Sequence, residues 1–115
     1  MITRIKAGPR MSQAVIHGNT VYLAGQVASD RSADVAGQTR EILAAIDGLL
    51  AEAGTDKKSL LAATIYLTDM STFKEMNAVW DAWVAPGCAP ARATVGAPLA
   101  SSAYKVEIVV IAARN

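Results

Sequence analysis

The chain has 115 residues, with 11 lysines or arginines against 10 aspartates or glutamates, and its formal net charge is +1. This length predicts one domain, residues 1–115, and the nearly balanced, scattered charge gives no footprint for nucleic acid. With one histidine and one cysteine, the chain excludes an internal disulfide and disfavours a transition-metal site or a Ser-His-Asp or Cys-His nucleophile.

The apolar content is high for a small protein, with 52% of residues hydrophobic. A small monomer needs more polar cover than this, so we expect further burial in an oligomer interface. No apolar run approaches the roughly 18 to 20 residues of a membrane span. Residues 1–6 lack the apolar segment of a signal peptide, and we therefore expect a cytoplasmic protein with no membrane partner.

The first third of the chain predicts strands. Residues 1–12 are typical of a leading strand followed by a loop at Gly8-Pro9. Gln13–His17 and Thr20–Val27 are rich in β-branched and aromatic residues, and Gly18-Asn19 between them is a two-residue turn signal. This pattern predicts a β-hairpin.

The middle of the chain alternates helix and strand. Apolar residues recur at three- and four-residue steps over 34–53, which predicts a helix that ends at Gly54. A period of two over Leu60–Thr68 predicts a strand. A second amphipathic helix follows, with Ser71 as the expected N-cap and Pro86-Gly87 as its end.

Two further strands, at about 91–97 and 104–113, complete the chain. The predicted order is two strands, a helix, a strand, a helix and two strands, with an extra strand at the N-terminus. Two amphipathic helices on one face of a mixed sheet make an α+β two-layer sandwich. The second sheet face stays open, and we expect it to pack against other copies of the chain.

Two charged residues stand out in the last strands. Alternation places Arg92, Thr94 and Gly96 on one face of their strand, while Glu107 shares a face with Val109. An arginine in such surroundings binds a carboxylate through two parallel charge-assisted hydrogen bonds. The pair indicates a pocket for a small carboxylate-bearing molecule; the alternative is that the two residues form an ion pair across strands or subunits.

Other polar and aromatic residues have two interpretations each. Asn77 lies on the apolar stripe of the second helix, where its amide either faces the pocket or is satisfied in the core or an interface. Trp80 and Trp83 are typical core or interface residues. His17, next to the turn, is more typical of a surface hairpin than of a catalyst.

Taken together in this order, several segments resemble the Rid family, the reactive-intermediate enamine/imine deaminases, also called the YjgF family. The resemblance covers nearly the whole chain and depends on the ordered set rather than on one motif. The segments are Gly8-Pro9 with Ser12-Gln13, Val21-Tyr22-Leu23-Ala24-Gly25-Gln26, Gln38-Thr39-Arg40, Met76-Asn77-Ala78-Val79-Trp80, Pro90-Ala91-Arg92 and Lys105-Val106-Glu107-Ile108.

The resemblance implies a chorismate-mutase-like fold and a homotrimer with pockets at its subunit interfaces. It implies hydrolysis of 2-imino acids, formed from 2-enamino acids, to 2-keto acids and ammonia without a cofactor. By position, Arg92 matches the arginine that binds the substrate carboxylate, and Glu107 matches the carboxylate that orients the attacking water. Asn77 and the backbone of Gly25 match pocket positions, and Thr94 matches a position whose main chain contacts the ligand.

The chain departs from the familiar family pattern in two places. Thr94 replaces a cysteine, which removes a reactive thiol. In Gly8-Pro9-Arg10-Met11-Ser12, Met11 takes the place of a pocket tyrosine and one residue is added, so a donor hydroxyl is lost. The rival expectations are a trimer that binds 2-keto acids or related carboxylates without turnover, and a purely structural trimer.

Overall fold

The computed structural model describes all 115 residues and confirms the predicted order of elements. Six strands and two helices follow one another along the chain: β1 (Ile2–Ile5), β2 (Ala14–His17), β3 (Thr20–Leu23), α1 (Val35–Glu52), β4 (Leu60–Leu67), α2 (Phe73–Trp83), β5 (Ala91–Gly96) and β6 (Val106–Ala113).

The strands form one mixed sheet in the order β1-β2-β3-β6-β4-β5. Only β4 and β5 run parallel, and β5 lies at one edge of the sheet. The predicted hairpin joins β2 and β3, where Gly18 adopts a left-handed φ of 61° that the turn requires. Both helices pack on one face, which confirms the α+β two-layer architecture.

The two faces of the sheet differ in burial. Ala63, Ile65 and Leu67 of β4 are at most 3% exposed and point towards the helices; we call this the helix face. On the other face, Tyr22 is 46% and Val95 41% exposed. We call this second face the open face. The register of the paired strands places the following residues on it: Val15, Tyr22, Tyr66, Val95, Glu107, Val109 and Ile111.

Local capping explains where the helices begin and end. Asp34 accepts a hydrogen bond from the Gly37 N–H at 2.8 Å at the start of α1. After α1, Gly54 has a φ of 82°, as its position just past the C-cap favours. The predicted N-cap of the second helix, Ser71, is wrong: Asp69 accepts both the N–H and the hydroxyl of Ser71. This bonding forms a short 3-10 turn, and α2 begins only after Thr72.

Neither helix combines the length and the apolarity that crossing a membrane requires.

Candidate functional site

Glu107 lies half-buried at a cavity on the open face. The cavity has a volume of about 320 Å³, and Glu107 is its only charged lining residue. The remaining lining comes from β4, β6 and the connection between β5 and β6: Tyr66, Ala97, Pro98, Leu99, Ala100 and Val109. A carboxylate in such apolar surroundings loses part of its hydration, which costs free energy unless a ligand, a water or a second chain supplies hydrogen bonds in its place.

The Glu107 side chain depends on the absence of a side chain at Gly25. A Cβ atom at Gly25 would lie 2.1 Å from Oε2 and 2.9 Å from Cδ of Glu107. The glycine therefore leaves the space that the carboxylate occupies. Within the chain this carboxylate has no ionic partner, since the one ion pair joins Lys6 and Glu52 at 3.2 Å.

Arg92 lies in a second polar group, formed with α2. Its Nη1 donates a hydrogen bond to Oδ1 of Asn77 at 2.8 Å. Its Cζ lies 5.4 Å from the centre of the Trp80 ring, within the range of a cation–π contact. Asn77 thus binds the Arg92 guanidinium and holds it in position. The other N–H groups of the guanidinium have no hydrogen-bond partner in the chain. They are free to bind a carboxylate side by side.

These two groups lie on opposite faces of the sheet. Arg92 pairs with Ala63 of β4, a buried residue of the helix face. Glu107 pairs with Tyr66, which has the opposite orientation along the same strand. The single chain therefore brings Gly25 to Glu107 and Asn77 to Arg92 but does not join the two groups, and it contains no Arg92–Glu107 ion pair.

Two of the predicted site residues have settings of their own. Thr94 pairs with Ile65 and so shares the helix face with Arg92. Its hydroxyl is buried and has no hydrogen-bond partner. Met11 lies in the loop between β1 and β2 and is 47% exposed. Its carbonyl accepts the Gly8 N–H at 2.8 Å, and its side chain does not line the Glu107 cavity.

Sequence reasoning missed part of the surroundings. The alternation of β4 places Tyr66 on one side with Thr64, but only the pairing of β4 with β6 shows that Tyr66 faces Glu107. The contribution of Ala97–Ala100 depends on the path of a loop, for which the sequence carries no periodic signal. The contact of Trp80 with Arg92 could not be predicted, because a tryptophan on the apolar stripe of a helix is typical of a core residue.

A larger groove of about 590 Å³ lies between α1 and α2, and its lining contains no residue of either group. Its lining includes Lys57 and Trp83, whose polar atoms already have partners. Nζ of Lys57 donates to the Trp83 carbonyl at 2.6 Å, and the Trp83 indole N–H donates to Asp47 at 3.0 Å. The groove also contains the charged groups of Arg40 and Glu75, but both residues are exposed. The Glu107 cavity, although smaller, is the better candidate because its unpartnered carboxylate is half-buried.

Comparison with known proteins agrees with the fold throughout. The family model described as Endoribonuclease L-PSP matches residues 1–114. A RutC family protein from Haemophilus ducreyi is 49% identical over 115 residues, which are 100% of this chain and 98% of that protein. The RutC family protein YoaB from Escherichia coli is 49% identical over 112 residues, 97% of each chain.

Solved structures are similar over the whole chain. A protein from Pseudomonas aeruginosa has a TM-score of 0.98 at 42% identity, covering 100% of both chains. A YjgF family protein from Neisseria meningitidis has a TM-score of 0.97 at 45% identity, covering 100% of this chain and 96% of that one.

Proposed function

Since the chain belongs to the Endoribonuclease L-PSP family, whose members are also called YjgF and RutC proteins, we propose that it hydrolyses reactive 2-imino acids and their 2-enamino precursors. The products are 2-keto acids and ammonia, and no cofactor takes part. The observation that carries the proposal is the unpartnered Glu107 carboxylate, seated over Gly25 at a cavity of substrate size.

The complete site takes residues from two copies of the chain. Arg92 lies on the edge strand β5, at the border of the sheet, while Glu107 lies on the open face of β6. A homotrimer that covers the apolar open face would bring Arg92 of one copy to the cleft that contains Glu107 of the next. The high apolar content of the chain and the exposure of Tyr22 and Val95 support this assembly.

In the proposed reaction, the substrate carboxylate binds the free N–H groups of Arg92, which Asn77 holds in place. Glu107 accepts a hydrogen bond from one water molecule and aims its oxygen at the iminium carbon. A C–O bond forms as the C=N π pair moves to nitrogen, and the water proton passes to Glu107. That proton then goes to the nitrogen of the carbinolamine. The hydroxyl proton passes to the now unprotonated Glu107, and C=O forms as the C–N bond breaks. Ammonia leaves, takes up the proton from Glu107 as ammonium, and the keto acid remains.

The lining of the cavity indicates the substrate class. Apart from Glu107 the lining residues are uncharged and mostly apolar, with the phenol of Tyr66 the only other polar group. Imino acids with small neutral side chains fit this lining. An acidic side chain would place a second carboxylate next to Glu107, and the repulsion between like charges disfavours it.

The alternative is a trimer that binds 2-keto acids or related carboxylates at the same clefts without turnover. A free carboxylate at Glu107 disfavours this role, because a pure anion site gains nothing from a second negative charge. RNA cleavage, which the family's name suggests, is disfavoured by the net charge of +1 and by the position of the single histidine, the exposed hairpin residue His17.

A coupled assay separates these functions. An amino-acid oxidase generates the imino acid in place, and the release of keto acid is followed with and without the protein. Release faster than the spontaneous rate in the wild type, lost in Glu107→Gln, supports the hydrolase. Unchanged release, together with a rise in melting temperature when 2-ketobutyrate is added, supports the binding protein.

A further inference from the structure

Gln38 of α1 is a fully buried polar side chain outside the candidate site, with 0% of its surface exposed. Its Nε2 donates to the carbonyl of Ala33 at 3.2 Å and to the carbonyl of Ala103 at 3.1 Å. Its Oε1 accepts the N–H of Lys105 at 2.9 Å. One neutral amide thus binds three backbone groups, and this combination of two donors and an acceptor is available only from glutamine or asparagine.

Two of the three backbone groups that Gln38 binds, those of Ala103 and Lys105, belong to the segment that forms one wall of the Glu107 cavity. We call residues 97–105 the wall loop; its first four residues line the cavity. At its start, the Ala97 N–H donates to the Leu67 carbonyl at 3.0 Å. Its middle is held only by its own turn, in which the Tyr104 N–H donates to the Ser101 carbonyl at 3.1 Å.

The far end of the wall loop is held mainly from α1 and the loop that precedes it. Besides the two bonds from Gln38, Nζ of Lys105 donates to Ala33 at 3.1 Å. The Lys105 carbonyl accepts the Thr68 N–H at 3.2 Å. Arg31 stacks on Tyr104 with its Cζ 5.0 Å from the ring centre, but this contact is exposed. Gln38 is therefore the buried anchor of this end of the loop.

We propose that Gln38 is a positioning residue for the candidate site. It fixes the wall loop over Glu107 and so sets the shape of the space in which the reacting water is held. This inference rests on the proposed imine hydrolysis. None of the backbone groups that Gln38 binds belongs to the group of Arg92, Asn77 and Trp80. We therefore expect Gln38 to act on the step that involves Glu107 and not on docking of the substrate carboxylate.

Replacing Gln38 by methionine keeps the length of the side chain and removes all three hydrogen bonds. Gln38→Glu keeps the acceptor for Lys105 and loses both amide donors, and it serves if the methionine variant does not fold. We expect kcat for iminopropanoate to fall at least tenfold in Gln38→Met, with KM changed less than threefold, because a small misplacement near reacting atoms has a large effect on rate.

Thr39→Val is the matched control. Thr39 is equally buried, but its hydroxyl bonds only within its own helix, to the Val35 carbonyl at 2.7 Å. All variants are assayed well below their melting temperatures, and Thr39→Val keeps kcat within twofold of wild type. If Gln38→Met, or Gln38→Glu in its place, also keeps kcat within twofold, Gln38 contributes only to stability and the inference is wrong.

Amide hydrogen exchange separates this inference from the proposed function. Anchoring predicts at least tenfold faster exchange at Tyr104 and Lys105 in Gln38→Met. In Gln38→Glu, which keeps the acceptor for Lys105, it predicts this increase at Tyr104 only, and in Thr39→Val it predicts no change at either amide. If the wild type does not accelerate imine hydrolysis, the proposed function fails, and Gln38 has no reaction to support. If exchange at both amides is unchanged in Gln38→Met, or at Tyr104 in Gln38→Glu where the methionine variant does not fold, the anchoring itself is refuted, whatever the activity.

Discussion

Replacing Gly25 by alanine tests the seat of Glu107 with a single methyl group. The new Cβ would lie 2.1 Å from Oε2 of Glu107, so the carboxylate must move away by more than about 1 Å to reach an ordinary contact distance. The clashing atoms belong to the far end of a flexible side chain, and the φ of Gly25 is not left-handed. The backbone therefore accepts alanine, and the carboxylate is the group that gives way.

The effects on stability and activity are expected to differ widely. Loss of backbone entropy in the unfolded chain stabilises a Gly→Ala variant by about 0.4–1 kcal/mol. Moving Glu107 off its preferred rotamer costs about 0.5–1.5 kcal/mol, so the two terms nearly offset each other. A displacement of about 1 Å in a reacting group lowers the rate by about 100-fold.

The assay compares kcat for iminopropanoate and the melting temperature of Gly25→Ala with those of Gly48→Ala. Gly48 lies in the exposed middle of α1, and a Cβ there meets no atom within 4 Å. We expect Gly48→Ala to be up to about 1 kcal/mol more stable and fully active. Full activity in Gly25→Ala would refute the view that this glycine sets the position of Glu107.

Three further changes give direct tests. Arg92→Lys keeps the positive charge and loses the two parallel N–H donors, so KM for iminopropanoate should rise about tenfold, with a larger rise in Arg92→Ala. An unchanged KM in Arg92→Ala would exclude Arg92 as the group that binds the substrate carboxylate. Thr94→Val replaces a buried, unpartnered hydroxyl by a methyl group. Calorimetry should show that the free energy of unfolding rises by about 1 kcal/mol or more. A lower melting temperature would mean that the hydroxyl has a partner in the assembly. Hydrogen bonds from the N–H groups of Ser29 and Asp30 lower the pKa of Glu41 from its ordinary value of 4.5. The contribution of Glu41 to the free energy of unfolding is therefore complete above that ordinary pKa and is lost as the pH falls through the lower folded value. Acid unfolding of Glu41→Gln should show a weaker dependence on pH in that range, and an identical dependence would contradict this.

The architecture could be predicted because the periodic signals are local. The step of three and four over 34–53 and the alternation over Leu60–Thr68 correspond closely to α1 and β4. Gly18-Asn19 and Gly54 mark a turn and a helix end, and both glycines have left-handed φ angles. The prediction of Ser71 as the N-cap was wrong because the Asp69 carboxylate, two residues earlier, accepts both the N–H and the hydroxyl of Ser71. Both residue types are favoured N-caps, so single-residue preferences do not decide which of them caps the turn.

The site could be predicted only in part, since its geometry depends on pairing between distant strands. Alternation correctly separated Arg92 from Ala93 within β5 and grouped Glu107 with Val109. It could not show that Arg92 and Glu107 lie on opposite sheet faces, because the relative orientation of β5 and β6 is set by their common neighbour β4. The role of Gln38 was hidden for a similar reason, as its partner Lys105 is 67 positions away.

The most direct test of a site shared between copies is complementation between two variants that each lack one half of it. Arg92→Ala and Glu107→Ala are mixed in equal amounts, unfolded and refolded together, and assayed for hydrolysis of iminopropanoate. If each site takes Arg92 from one copy and Glu107 from another, random assembly restores about a quarter of the wild-type activity. The assay uses iminopropanoate well below the wild-type KM, where each variant refolded alone should have less than about a tenth of wild-type activity. No restored activity in the mixture, with mixed oligomers demonstrated by mass spectrometry, would contradict a site shared between copies.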